Sequence, residues 1–394
     1  GLTYSYCVIG AGRQGVAAAY DLLRRGEAAR IVLADRDHGK AAGAAATLTP
    51  LVDGAVIDIT TVDAADRRAA AALLEGYDVA LGAASWRLNE SLTDAAIDAG
   101  THFVDLGGNA EVVWAQLERN QQARDRGISI VPDCGQVPGT GANLVLHVTR
   151  GFDVIDSVTL YDGGIPEEPE EPWHYELAFS MDGLTNEYSG HGLYIVDGKP
   201  HAVEVFDPAE YELVEFEGFG TLEAFATAGG LTTLSKTLAG KIRTLKNKTL
   251  RYPGHAAQFK AFCDAGLFEE DPISVGGHEV SPRAVFHALI EPRIRAGEDY
   301  RDVVINRVVG VGDIAGTRTE ITLDVVNHRP AGLPFTAMQA ATGWHAAIMM
   351  HRLARGACRA GVIEVENAIS GDELLAELGA RGFHIRETRR PLAN

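Results

Sequence analysis

Gly10-Ala11-Gly12-Arg13-Gln14-Gly15 stands directly behind the apolar run Tyr6–Ile9 and opens a helical stretch. That spacing suits diphosphate binding. Gly10 permits a tight turn, Gly12 lets backbone N–H groups approach the phosphates, and Gly15 lets helix and strand pack closely, with the helix N-terminus adding partial positive charge. Asp35 ends the next β-rich run, where a carboxylate accepts hydrogen bonds from the hydroxyls of an adenosine ribose. Asp35 and Asp37 disfavour a 2′-phosphate, so NAD is expected ahead of NADP, although Arg36 between them favours the phosphorylated form. Arg13 and Gln14, in the first helical turn, join the candidate cofactor residues. Asp58, read as ending the third run, is a candidate for the adenine amino group or a plain helix cap. Trp86, after the fourth run, either stacks near a nicotinamide or packs in the core.

These residues need a scaffold of alternating strands and helices. The strands read as Tyr6–Ile9, Arg30–Ala34, Ala55–Ile59, Asp78–Gly82, His102–Leu106 and Ile128–Val131, with Ala-rich helical segments between them. Such alternation requires right-handed parallel crossovers, so residues 1–135 are expected to form an α/β Rossmann dinucleotide-binding domain. Beyond Pro132-Asp133-Cys134-Gly135 the pattern changes to strands at Ser157–Tyr161, Tyr175–Phe179, Leu193–Val196, Thr249–Tyr252, Val303–Val311 and Glu320–Val326, with Asp197-Gly198 as a hairpin turn. Residues 136–331 therefore read as an inserted α+β domain with a mixed or antiparallel sheet. Residues 332–394 read as a helical segment, led by Thr336–Arg355, that returns to the first domain.

Composition narrows the partners. Lys and Arg number 35 against 54 Asp and Glu, a formal charge of −19. Nucleic acid and anionic membrane surfaces are poor partners for such a chain, since both are held by basic patches. No apolar run approaches the roughly 20 residues needed to cross a bilayer. The start, Gly1-Leu2-Thr3-Tyr4-Ser5-Tyr6, lacks an export signal, and the four scattered cysteines form no framework, so a reducing, cytoplasmic setting is expected. His147, His191, His201 and His278 show no metal-ligand spacing, and Ser180 and Ser235 lack the context of acyl-transfer chemistry.

The chain resembles the saccharopine dehydrogenase family, more closely its lysine 6-dehydrogenase branch. The resemblance is carried by Asn89-Glu90-Ser91, Val104-Asp105-Leu106-Gly107-Gly108-Asn109, Val131-Pro132-Asp133-Cys134-Gly135-Gln136-Val137-Pro138-Gly139 and Gly163-Gly164-Ile165-Pro166. It continues through Phe179-Ser180-Met181-Asp182-Gly183-Leu184, Leu222-Glu223-Ala224-Phe225, Gly229-Gly230-Leu231-Thr232-Thr233-Leu234 and Thr249-Leu250-Arg251-Tyr252-Pro253-Gly254-His255, and fades after about Glu366. It implies NAD-dependent oxidative deamination of the L-lysine side-chain amine to 2-aminoadipate 6-semialdehyde. That product cyclises to piperideine-6-carboxylate, and ammonia is released. A homodimer or homotetramer joined through the second domain is also implied. The alternatives are a saccharopine-type dehydrogenase acting on a secondary amine and, from another class, a non-catalytic NAD(H)-binding sensor.

Hydride leaves such a carbon only when its amine is neutral, and a lysine amine has an ordinary pKa of about 10.4, so a base is required. Asp105 and Asp133, each at the carboxyl end of a strand, are candidate bases; either could instead serve loop amides or a helix cap. Asn109 reads as a cap and Cys134 as a small packing residue. In the resemblance, Asp182 stands near where saccharopine-reducing relatives carry an Arg, which suits a bare amine. His255 stands where those relatives have an apolar residue, making it a candidate base or substrate contact. His174 beside Trp173 and Tyr175, Thr232, and Arg251 as a bidentate partner for an α-carboxylate complete the substrate candidates.

Overall fold

In the computed structural model, which describes residues 1–393, the β-branched and aromatic runs of the first third form six short strands. They are β1 (Tyr4–Ile9), β2 (Ala28–Asp35), β3 (Val56–Thr61), β4 (Val79–Gly82), β5 (His102–Asp105) and β6 (Ser129–Val131). A seventh strand, Gly361–Val362, pairs with β6, and the sheet runs from it through β6, β5, β4, β1 and β2 to β3. Every pairing is parallel. The order reverses between β1 and β4, so the loops after these two strands flank the switch point at which doubly wound sheets take their ligands. Small residues let helices sit tight on the sheet, and Cys7, Ile9, Val32, Ala34, Ala80, Leu92, Phe103 and Ile130 form one buried cluster. Between β5 and β6 the chain forms two helices, Ala110–Leu117 and Asn120–Arg126, the first capped by the Asn109 side chain.

The chain divides into two compact units, the first holding Gly1–Leu146, Gly332–Phe335 and Gln339–Ala380. The division falls after Leu146 rather than Gly135 because the intervening segment is anchored in the first unit. The Gly135 N–H donates to His345 Nδ1 at 2.9 Å, and Asn143 Nδ2 donates to the Val365 carbonyl at 2.9 Å.

The second unit is built on a mixed sheet. Its strands are β7 (Val154–Pro166), β8 (His191–Val196), β9 (Lys199–Glu204), β10 (Glu212–Phe216), β11 (Gly220–Ala226) and β12 (Thr244–Arg251), followed by β15 (Asp302–Ile314) and β16 (Thr317–His328) after a small separate hairpin of β13 (Ile273–Val275) and β14 (His278–Val280). The main path is β10, β11, β12, β7, β15, β16 and a last strand, His384–Pro391; only β12 and β7 run parallel. Asp197-Gly198 does form the two-residue turn between β8 and β9, with φ of 52° and 79° as a type I′ turn requires. Tyr175–Phe179 is no strand. Its Leu177 instead exchanges backbone hydrogen bonds with Ile294 and Ala296, while Tyr175 and Leu177 bury in an aromatic cluster with Tyr188, Phe206, Phe225, Phe259 and Phe286.

Residues 332–394 do not behave as one helical piece. The helix Ala337–Ala354 starts with residues of the second unit, where the Asp302 carboxylate accepts from the Ala337 and Met338 N–H groups at 2.7 and 3.0 Å. From Arg381 onward the chain again belongs to the second unit, because His384–Pro391 pairs along β16. No helix among the described residues is long and apolar enough to cross a membrane.

Candidate functional site

In the first unit the glycine loop follows β1 directly. Gly10 adopts φ +104°, and a Cβ there would lie 2.6 Å from the Ala83 carbonyl carbon, so only glycine fits. A Cβ on Gly15 would strike the Gly10 carbonyl oxygen, and β1 and the helix Arg13–Arg25 could not approach as they do. Gly12 differs, since a Cβ there would meet nothing within 4 Å. The space in front of Gly12 faces the start of a helix with no acidic residue in its first turn, so the positive end of its dipole is uncompensated. Asp35 closes the other side: Oδ2 accepts from the Ala11 N–H at 3.0 Å and Oδ1 from the Asp37 N–H at 2.9 Å. A carboxylate has about four lone-pair positions, so Asp35 keeps acceptor capacity for a diol. Asp37 is committed to capping the next helix through Gly39 and Lys40, while Arg13 and Arg36 are exposed. This arrangement fits a dinucleotide.

Of two further cofactor candidates, Asp58 lies differently from expectation and Trp86 follows β4 as expected. Asp58 is inside β3, which continues to Thr61, and its carboxylate sits 3.6 Å from Arg30 Nε as a surface ion pair; it does not reach the carboxyl edge. Trp86 opens a helical turn after β4, packs its Cβ against Gly108 and carries the Arg87 guanidinium 4.4 Å over its ring. Its indole N–H is buried and without a partner.

Asp105 and Asp133 meet at the carboxyl edges of β5 and β6, in different roles. Asp105 is fully buried, and its carboxylate accepts from Gly107 N at 2.8 Å, Asp133 N at 3.1 Å and Gln116 Nε2 at 2.6 Å. Burial pushes its pKa up while these bonds pull it down. Asp105 thus ties the two loops together, with three of its roughly four acceptor positions filled by the protein itself. Asp133, which that tie positions, adopts φ +65°, a costly conformation for a residue with a Cβ. Its side chain lies against Gly107, where a Cβ would collide with it. His345 supports the same turn: it accepts the Gly135 N–H at Nδ1 and meets Asn143 Oδ1 through Nε2 at 2.8 Å, and burial lowers its pKa to about 3. Cys134 is buried with its thiol pushed up by burial and by both aspartates, as an inert packing residue would be.

In the second unit, Arg251 ends β12. It is 3% exposed, yet no carboxylate lies within ion-pair distance of it among the described residues. Nη1 donates to the Leu250 carbonyl at 2.8 Å, the Tyr175 ring lies 4.8 Å from the guanidinium carbon, and Nε has no partner. Its cross-strand neighbour Glu223 is unavailable, because that carboxylate accepts from Gly254 N, Ala256 N and Tyr211 Oη, which holds the start of the helix His255–Asp264. A buried guanidinium without a counter-charge is expensive, by several kcal/mol. Here the Tyr188 and Tyr175 hydroxyls and Glu187 favour its charged form against burial.

His255 is enclosed rather than presented. It is fully buried, stacks on Phe259 at 4.3 Å, and meets the Tyr188 hydroxyl through Nε2 at 2.8 Å. Burial and the Arg251 charge keep it neutral, its pKa well below the ordinary value. It meets Tyr188 from within the aromatic cluster rather than from an exposed face. His174 carries φ +52° and lies close enough for its charge to depress His255 further. Asp182 lies 3.6 Å from Arg283 Nη1, so its charge is compensated within the fold. Thr232 is buried and bonds to the Gly229 carbonyl of its own loop at 3.2 Å. The residue that sequence reading missed is Glu187, the last of the helix Met181–Glu187. Burial pushes its carboxyl up to about 7, against the pull of Arg251 and with Asp162 adding to the rise. Its one signal was an acidic residue three positions beyond the Phe179–Leu184 segment.

A doubly wound sheet with a built dinucleotide loop, in one chain with a mixed sheet bearing a buried anion-seeking arginine, defines a dinucleotide-binding oxidoreductase. The chain belongs to the saccharopine dehydrogenase family: the saccharopine dehydrogenase NADP binding domain matches residues 6–131 and the saccharopine dehydrogenase C-terminal domain residues 135–383. Among solved structures it is similar to the apo saccharopine dehydrogenase (L-Glu forming) of Saccharomyces cerevisiae, with TM-score 0.78 and 18% identity over 98% of this chain and 100% of that one. It is also similar to the homospermidine synthase of Legionella pneumophila solved with NAD, with TM-score 0.68 and 10% identity over 98% and 92% of the two chains. At these identities the likeness is one of fold.

Proposed function

We propose that this protein is an NAD-dependent amine dehydrogenase that oxidises the side-chain amine of L-lysine or a close analogue. The observation that carries the reading is Arg251, a buried guanidinium with no carboxylate within ion-pair distance among the described residues. A substrate carboxylate supplies the missing charge and can take two parallel N–H bonds from the fork. Family membership supplies the redox chemistry.

Gly12, the first turn of the helix Arg13–Arg25 and Asp35 would hold the dinucleotide. When bound, it accepts the hydride that leaves the amine-bearing carbon. Asp35 favours a ribose with two free hydroxyls over a 2′-phosphate, because its carboxylate would face that phosphate's charge. The amine must lose a proton before hydride departs, and Asp133 is the acceptor this reading assigns, since Asp105 is fully buried and already takes three hydrogen bonds from the protein. Loss of hydride from the neutral amine leaves an iminium. Once Asp133 has released its first proton to solvent, it takes a proton from the adding water and returns it to nitrogen, so that ammonia departs as the aldehyde carbonyl forms and the hydroxyl proton passes to solvent.

The test is absorbance of reduced nicotinamide formed from NAD or NADP with L-lysine, saccharopine or cadaverine, across pH 7 to 10. The reading expects NAD with L-lysine to give the highest kcat/KM. Higher turnover of saccharopine would move the assignment to a secondary amine, and cofactor binding with no turnover of any amine would make the protein a sensor.

A further inference from the structure

We infer that Glu187 and Arg251 together form a recognition site for the zwitterionic head of an α-amino acid, with the guanidinium taking its carboxylate and Glu187 its α-ammonium. The inference rests on the amino-acid reading above and adds a residue, Glu187, that the reading does not use.

Three observations carry it. Arg251 and Glu187 have opposite charges and interact electrostatically, yet no ion pair joins them among the described residues. A flexible Glu beside a buried, uncompensated Arg would ordinarily close onto it; here the two stay apart. Second, Glu187 is fixed from behind, since its carbonyl accepts the Ala228 N–H at 2.8 Å at the end of the helix Met181–Glu187. Its carboxylate is buried and takes no hydrogen bond among the described residues. Third, the surroundings are shaped for the guanidinium: a Cβ on Gly163 would lie 2.9 Å from Arg251 Nη1, and the Tyr175 ring forms the floor beneath it.

The charge pattern decides among ligands. A simple carboxylate would satisfy Arg251 but face Glu187, with Asp162 close by adding negative charge. A diamine would satisfy the carboxylates and leave Arg251 uncompensated. An α-amino acid presents both charges on one carbon and settles both groups. The raised proton affinity of Glu187 has the same origin, because a carboxylate held in a poorly solvated pocket without its partner keeps its proton longer.

Glu187→Gln preserves shape and removes the charge. The experiment compares wild type and this variant on L-lysine and on 6-aminohexanoate, which keeps the carboxylate and the reacting amine but lacks the α-amine. In parallel, calorimetry measures L-lysine binding without turnover. The expected result is a preference for L-lysine over 6-aminohexanoate in kcat/KM that shrinks about 10- to 100-fold in the variant, as loss of one charge-assisted contact predicts. L-lysine affinity should fall in proportion, with Tm not lowered. An unchanged preference, or 6-aminohexanoate matching L-lysine in the wild type, overturns the inference while leaving the dehydrogenase reading intact. L-lysine bound by the wild type and weakened by the variant, with no turnover in either, supports the zwitterion site and overturns the dehydrogenase reading instead.

Discussion

The candidate sites of the two units are built from opposite materials. The dinucleotide loop of the first unit is backbone: Gly10, Gly12 and Gly15 matter for what they lack, and Asp35 acts from a strand only twenty residues away. The candidate site of the second unit is side chains, with Tyr175, Glu187 and Arg251 brought together from a loop, a helix and a strand. A backbone site binds what is common to all dinucleotides and is specified by local chain geometry. A side-chain site binds what distinguishes one substrate from another, and its residues meet only through tertiary packing.

The widest separation should come from glycine substitutions. Gly10→Ala places a Cβ on backbone atoms at a positive φ and should lower Tm by about 5 °C or more and abolish dinucleotide binding. Gly12→Ala meets only open space, so Tm should hold within about 1 °C while affinity for NADH, read by fluorescence, falls at least about 10-fold. Equal effects on Tm would mean that the room at Gly12 is not reserved for a ligand. In the second unit, Arg251→Met should raise the Kd for L-lysine by about 100-fold or more without lowering Tm, because removing a buried cation that has no carboxylate partner relieves a desolvation cost. A large fall in Tm would show that Arg251 is a structural residue.

The same contrast explains what could be read in advance. The loop, the switch-point strands and Asp35 follow from local spacing, and so does the Asp197-Gly198 turn. Asp105 and Asp133 both end strands, and nothing in spacing says which one donors will consume; that depends on Gln116 reaching back from the next helix. Asp58 was misplaced because β3 runs two residues further than its apolar run, through Thr60 and Thr61. The last strand, His384–Pro391, carries four charged residues in Arg386-Glu387-Thr388-Arg389-Arg390 and is exposed along its length, so it shows no alternation; its pairing with β16 defines it. Glu187 was hidden for the same reason: its neighbours arrive from β12 and β7.

A smaller effect links the pocket to pH. Glu187 is pushed up to about 7 and Asp302 to about 6, each above its ordinary value because burial disfavours the charged form. A raised folded-state pKa contributes stability that is fully present below the ordinary carboxylate pKa and is lost as pH rises through the folded value. Tm should therefore decline between about pH 4 and pH 7, and Glu187→Gln should flatten the upper part of that decline, leaving the variant the more stable at pH 8. Binding of an α-ammonium has the opposite slope, since it needs Glu187 ionised, so wild-type affinity for L-lysine should improve as pH rises from 6 to 8. A Tm profile indifferent to Glu187→Gln would show that the carboxyl is solvated rather than enclosed.

The smallest effect is expected at Asp182, the position that resemblance marks as suiting a bare amine. Its carboxylate faces Arg283 at 3.6 Å, and its side chain is one-third exposed. A charge already answered by a neighbouring guanidinium has little left to offer a substrate, and a partly exposed pair of this kind contributes at most about 1 kcal/mol. Asp182→Asn should change kcat/KM for L-lysine less than about 3-fold, well short of Arg251→Met or Glu187→Gln. A loss comparable to theirs would mean that the amine is recognised at the helix start rather than at its end, and would move the substrate pocket from Glu187 to Asp182.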